Sequence, residues 1–333
     1  MAQSSYAYAM GRIRSIEGKM LSGAQLDRMI DAKAADDAMR VLAEAEYGLA
    51  VGDAEGFRDY EKVLDDEYAK LIKLIRELSP EPKLIDIFLL KNDYHNAKAF
   101  LKGEFSGNLD ESILSQAGLI SPQKLKAALL ERKFSDIPRI LAAGIEEAIE
   151  SFNKASDPQA VDIVLDKAQF AEMLLEAETL GNAFLTGLVR RYIDIANIGA
   201  FVRVKAMGKA WEFLRDALLD GGYVGHDLFF RSLQDNLDNF IAAVQATAYS
   251  DLCEEGLKSY QATGSLTVFE RKADDFITDY ISKAKLMSAG MEIIVSYFVA
   301  KQSELKNVRV VMVGKKNGIP GEIIRERLRK AYV

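Results

Sequence analysis

The chain has 333 residues, 49% of them hydrophobic and 28% charged, with 43 Lys and Arg against 50 Asp and Glu for a net charge of −7. That balance describes a folded protein and not a disordered one, and the length exceeds the about 250–300 residues at which a single core stops growing. One cysteine, Cys253, and two histidines, His95 and His226, exclude an internal disulfide framework and any multi-cysteine metal site, fit a reducing compartment, and leave little for imidazole chemistry.

In chain order, the first fifteen residues carry neither an apolar signal core nor a glycine at position 2 for myristoylation. Gly11, Gly18 and Lys19 superficially suggest a phosphate loop, but six residues separate the glycines and Met20 stands where Ser or Thr would have to reach Mg²⁺. Leu21-Ser22 then opens a helix. Ser22 is an N-cap with Gln25 three positions on, and Leu21 and Leu26 flank it as a hydrophobic staple. Apolar residues at helical spacing follow, as in Leu64, Tyr68, Leu71, Ile72 and Ile75. Strand-like alternation is nearly absent, so an all-α fold is expected.

The helix-opening pattern recurs. Ile120-Ser121 with Leu125, and Val224-Gly225 with Phe229, repeat Leu21-Ser22 with Leu26, and Pro122 sits where proline suits a first turn. Nine positions after each opening residue stands a further apolar one: Ile30, Leu129 and Leu233. An acidic residue three before an asparagine also recurs, as Asp93/Asn96, Asp194/Asn197 and Glu304/Asn307, with the asparagines lying 75, 77 and 83 residues after the opening residue. Each asparagine begins a mostly apolar run to a glycine, at Gly103, Gly208 and Gly314. A period near 100 residues is far longer than that of a solenoid. It predicts a triplicated helical domain: 1–103, 104–208, and 209–333 with a basic C-terminal helix, the edges falling at Gly103, Gly107 and Gly208. Asn96, Asn197 and Asn307 are expected to tie helices to loop backbone, since an amide both donates and accepts.

Toward the C-terminus, Asp274, Asp275 and Asp279 form an acidic cluster, with Asp275 and Asp279 on one helix face. It resembles the aspartate-rich Mg²⁺ motif of all-helical synthases, but Thr278 occupies the third acidic place and no second cluster matches it, so a solvated face is the better reading. The run 291–300 is too short to span a bilayer and is broken by Glu292. Residues 308–313 are β-branched enough to leave helix and strand open from pattern alone, and their place in the repeat favours helix. Residues 1–300 hold 34 basic and 47 acidic side chains, whereas 301–333 hold nine and three. The tail 318–333 is expected to be a short helix with Pro320 in its first turn, Arg329 and Lys330 at its end, and Ile319, Ile323, Ile324, Leu328 and Tyr332 as an apolar stripe. Dipole matching and solvation account for its basic residues, and a docking patch for an acidic partner is the other reading. Nucleic acid is disfavoured by the acidic body.

Three of these stretches together, Tyr6-Ala-Tyr-Ala-Met-Gly-Arg-Ile-Arg, Lys91-Asn-Asp-Tyr-His-Asn-Ala-Lys, and the segment from Gly314 through Gly318-Ile-Pro-Gly-Glu-Ile-Ile-Arg-Glu-Arg-Leu328, resemble the C subunit of the V-type (A/V-type) ATP synthase/ATPase, a relative of the d subunit of the eukaryotic V-ATPase. The resemblance implies three similar helical domains in a pseudo-threefold, funnel-like arrangement. It implies a non-catalytic central-stalk rotor component, without cofactor or metal, that couples the D and F subunits of the shaft to the membrane proteolipid ring. The chain would then be cytoplasmic and peripheral on the membrane through the complex. Arg325, Arg327 and Arg329 are candidates for an assembly contact. A soluble helical scaffold unrelated to rotary ATPases, and an Mg²⁺-dependent helical enzyme built on Asp274, Asp275 and Asp279, are the alternatives.

Overall fold

The computed structural model describes residues 2–45, 47 and 60–333. Among them every regular element is helical: α1 (Ala2–Glu17), α2 (Gly23–Asp31), α3 (Ala35–Ala43), α4 (Tyr60–Leu78), α5 (Asp86–Ser106), α6 (Pro122–Glu131), α7 (Arg139–Ala155), α8 (Pro158–Thr179), α9 (Ala183–Ala206), α10 (Trp211–Ala217), α11 (His226–Ser232), α12 (Leu237–Val244), α13 (Ser250–Thr263), α14 (Thr267–Ser282), α15 (Met291–Lys316) and α16 (Gly321–Arg327), with short 3₁₀ turns at Glu111–Ile113 and Lys283–Leu286. None is long and apolar enough to cross a membrane.

The chain forms two compact units. One comprises residues 1–82 with 241–333, and the other residues 83–240. In the first, α15 is the hub: α1, α2, α3, α4, α14 and α16 all pack on it. Its buried residues point in every direction, from Ile293 to Gly314, as expected of a helix enclosed by others. Residues 308–313 are helical for that reason. Val308, Val311 and Met312 are fully enclosed in a core with Leu26, Met29, Met39, Leu42 and Leu64, and burial outweighs the small penalty of β-branching.

In the second unit α8 packs against α5, α7 and α9. Helices α5 and α9 are also deeply buried, with Tyr94, Leu101, Leu188 and Phe201 fully enclosed. The acid–asparagine pairs thus lie on α5, α9 and α15, the most deeply buried helices of their units.

The expected helix ends are corrected at Gly103 and in the tail, and Gly314 behaves as Gly103 does. Gly103 and Gly314 do not stop their helices, which run on to Ser106 and Lys316. They serve close approach instead, since a Cβ at Gly103 would lie 2.9 Å from Leu109 and one at Gly314 2.5 Å from Ile324. Gly107 and Gly208, at φ +70° and +62°, do accompany helix ends. The tail helix stops at Arg327, and residues 328–333 continue without helix. The backbone of Arg329 and Lys330 is hydrogen-bonded by the side chains of Asn307 and Asp275, which takes the groups a longer helix would need.

Candidate functional site

The acid–asparagine pairs are the most distinctive polar groups in the protein, because Asp93, Asn96, Asp194, Asn197, Glu304 and Asn307 are all buried. Buried polar groups must find partners, and these find the same kind of partner three times. Asn96 accepts the Ser115 N–H at 2.8 Å and donates to the Ser115 carbonyl at 2.8 Å. Asn197 does the same to Leu219 at 2.7 and 2.9 Å, and Asn307 to Arg329 at 2.9 and 3.0 Å. Each clasped residue follows a leucine (Leu114, Leu218 or Leu328) that ends a short helical turn in an extended conformation.

The acidic residues hold the helix openings. Asp93 accepts the N–H groups of Leu119 and Ile120 at 3.0 and 2.9 Å, and Asp194 those of Tyr223 and Val224 at 2.9 and 3.0 Å. Glu304 accepts the Leu21 N–H at 2.5 Å. Ile120, Val224 and Leu21 are the residues just before the caps of α6, α11 and α2. Ser121 and Ser22 cap their helices by side chain, Ser22 with Gln25 as a full capping box, and Gly225 makes no side-chain cap. Glycines stand two before Ile120 and Val224 because a Cβ at Gly118 or Gly222 would lie 2.3 or 2.2 Å from Oδ1 of Asp93 or Asp194.

The electrostatics differ between copies. Burial pushes the Asp93 carboxyl up to about 6, against the downward pull of its two backbone donors. Neighbouring Glu172 is also raised by burial, and it accepts the Tyr94 hydroxyl at 2.6 Å. Glu304 instead shares its carboxylate among the Leu21 N–H, the Tyr47 hydroxyl at 2.7 Å and Lys301 at 2.5 Å. Lys301 also stands over the Tyr47 ring.

The tail folds onto the acidic cluster. Arg329 reaches Asp274 at 2.8 Å, the Lys330 N–H donates to Asp275 at 2.6 Å, and the Lys330 ammonium pairs with Asp279. Lys306 takes the other Asp274 oxygen at 3.1 Å. The carboxylates weighed as a cation site are therefore occupied by the chain's own basic segment, and the described residues hold no group of three or more His, Cys, Asp or Glu suited to a metal. Arg325 is engaged as well, with Asp27 and Asp31. Arg327 is exposed and makes no ion pair among the described residues. His95 and His226 bond the carbonyls of Ile113 and Leu219. The Cys253 thiol is buried and pushed up to about 12.

Sequence reasoning does not identify the clasped residues Ser115, Leu219 and Arg329, nor the role of Gly118 and Gly222. The available signals were a leucine 18, 21 and 21 residues after each asparagine, and a glycine two before two of the openings.

What these groups do chemically is hold backbone. Each acid and asparagine of the three clasps is directed at the chain itself, an arrangement suited to rigid assembly. The chain is similar to known proteins over nearly its whole length. The C subunit of a V-type sodium ATPase from Enterococcus hirae is 25% identical over 96% of this chain and 97% of its own. The C subunits of the A-type ATP synthases of Methanocaldococcus jannaschii and Haloferax volcanii are 26% and 23% identical over 97% and 98% of this chain and 86% and 97% of theirs. A family-wide profile described as ATP synthase (C/AC39) subunit matches residues 9–327. The chain belongs to the ATP synthase (C/AC39) subunit family.

Proposed function

We propose that this protein is the non-catalytic central-stalk component of a V/A-type rotary ATPase or ATP synthase, a socket that couples the D/F shaft to the membrane proteolipid ring. In this reading residues 1–103, 104–208 and 209–333 are three similar helical domains about a pseudo-threefold axis, opening as a funnel. The protein is peripheral on the cytoplasmic face through its partners. The observation that carries the reading is the threefold clasp: an acid three before an asparagine, on a buried helix, holds the opening of a further helix each time. A part that transmits torque needs stiffness, and fully satisfied buried networks rigidify a core.

Arg325, Arg327 and Arg329 contribute to an assembly contact in this reading. Arg325 and Arg329 also brace the chain internally, which leaves Arg327 as the residue turned over to a partner. The test is affinity purification of the tagged chain from solubilised membranes. Co-purification of the proteolipid together with both shaft proteins supports the coupling role. Recovery of neither overturns it.

A further inference from the structure

The first unit has an open cavity of roughly 230 Å³ where α16 crosses the C-terminal part of α15. Its floor is apolar: Val310, Val313, Ile319 and Ile324. Gly314 lies beneath Ile324, and a side chain there would hold α16 away and destroy the shape. Val313 is 37% exposed although α15 is otherwise the most enclosed helix of its unit. Every charged side chain lining the cavity is a cation: Lys306, Arg309, Arg327 and Arg329. In a chain of net charge −7 that is a local reversal of sign. Three of the four are each tied to a carboxylate outside the cavity, at Asp274 or Glu61. Those pairs fix the rim without neutralising Arg327.

We propose that this cavity docks an acidic helical segment of a partner protein, seating one or two aliphatic side chains on Val310, Val313 and Ile319 while a flanking carboxylate meets Arg327. The volume lies below the about 300–1,000 Å³ of small-molecule sites, which suits side-chain anchors better than a cofactor or an acyl chain. An apolar centre with a charged rim is the anatomy of a protein contact, in which the centre supplies affinity and the rim selects the partner. An amphipathic helix fills such a groove through anchors three and four residues apart. The partner's presence in the ATPase rests on the functional reading above; the cavity's preference for acidic apolar helices does not.

The experiment therefore has two arms on the full chain. In the first, a fluorescent helical peptide with Leu and Ile anchors flanked by Glu is titrated against wild type, Val313→Asp, Arg327→Glu and the control Arg231→Glu. Each cavity variant should weaken binding by about tenfold or more, as loss of one good contact does, with Arg231→Glu unchanged. The same peptide with Lys for Glu should bind at least about tenfold more weakly to wild type. Equal binding of both peptides, or no loss in either variant, overturns the proposal. Val313 and Arg327 are exposed, and unchanged thermal midpoints separate lost docking from lost folding. In the second arm, a photo-crosslinking residue replaces Val313 in the complex purified from membranes. An adduct on a carboxylate-rich protein segment supports docking, whereas an adduct on lipid, on a basic segment or on nothing refutes it. If the peptide arm succeeds and the chain recovers neither ring nor shaft, the cavity stands and the rotor reading falls. If ring and shaft co-purify and both arms are negative, the reverse holds.

Discussion

Replacing Asn197 by alanine should destabilise the protein more than the same change at Asn96 or Asn307, and the structure supplies the order. The Asn197 side chain and its partner Leu219 are both buried, so no water can take over when the amide is removed. Two hydrogen bonds are lost at about 1 kcal/mol each, and a stranded buried N–H costs a further ~1–3 kcal/mol. The Leu219 carbonyl keeps a partner in His226 at 2.9 Å, which limits the total to about 2–4 kcal/mol. In a unit spanning residues 83–240, each kcal/mol lowers the midpoint by roughly 2–4 °C, giving a fall of about 5–15 °C. Ser115 is half-buried, so Asn96→Ala should lose less. Arg329 is also half-buried on a tail segment, and solvent there can replace the amide, leaving Asn307→Ala at about 1 kcal/mol. Differential scanning calorimetry and urea titration of the three variants measure the series. Equal effects within about 0.5 kcal/mol, or an unchanged midpoint for Asn197→Ala, would refute the claim that these amides hold the junctions.

Gly222→Ala and Gly118→Ala should each cost about 2 kcal/mol or more by pushing the carboxylate off its two backbone donors, read as a lowered denaturant midpoint, whereas Gly225→Ala, with open space around its Cβ, should cost far less. Asp93, raised to about 6 in the folded chain, contributes stability that is full below its unfolded value of about 3.9 and is lost as pH rises through about 6, on the order of 2–3 kcal/mol; wild type should therefore show a midpoint falling between pH 4 and 6.5 on this account, and Asp93→Asn should flatten that slope, while an identical pH profile would show the group silent. Lys301→Met leaves the buried Glu304 carboxylate without its cation, and should cost about 3–5 kcal/mol by chemical denaturation, where a cost under about 1 kcal/mol would mean that Leu21 and Tyr47 suffice.

Much of this architecture is legible in the residues. Acid and asparagine at a spacing of three, serine or glycine before a staple pair, and apolar residues at helical spacing are all side-chain signals, and they mark α2, α6 and α11 and the three buried helices. The partners of the asparagines are not legible in the same way. Ser115, Leu219 and Arg329 are held through backbone N–H and C=O groups, so three unrelated side chains serve one function. The tail fails for a related reason. Ile319, Ile323, Ile324, Leu328 and Tyr332 suit a helix, yet Asn307 and Asp275 take the backbone of Arg329 and Lys330. Ile323 is left 42% exposed, while Tyr332 is buried outside the helix. Tertiary hydrogen bonds overrode a local pattern. The charge reversal of residues 301–333 was readable as composition, but its use within the chain needed the positions of Asp274, Asp275 and Asp279.

The three junctions are alike in bonding and unlike in what closing them costs. Asp93 reaches Ile120 across 27 residues and Asp194 reaches Val224 across 30, whereas Glu304 reaches Leu21 across 283. A loop about ten times longer costs roughly 2 kcal/mol more to close if closure entropy grows as the logarithm of length. The third junction is also where the protein adds contacts the others lack. Glu304 takes Lys301 and Tyr47 in addition to its backbone donor. The acidic face of α14 holds Arg329 and Lys330 beside the third asparagine clasp. Exposed pairs of this kind are worth about 0.2–1 kcal/mol each and are screened by salt, so several are needed to offset the longer closure. The buried Lys301–Glu304 pair, whose rupture costs about 3–5 kcal/mol, supplies the rest, so the third junction depends on it. In native-state hydrogen exchange, the Leu21 amide, the counterpart of those of Ile120 and Val224, should therefore lose protection in Lys301→Met while the other two keep theirs. Unchanged protection of Leu21 in that variant would show that the long closure carries no penalty.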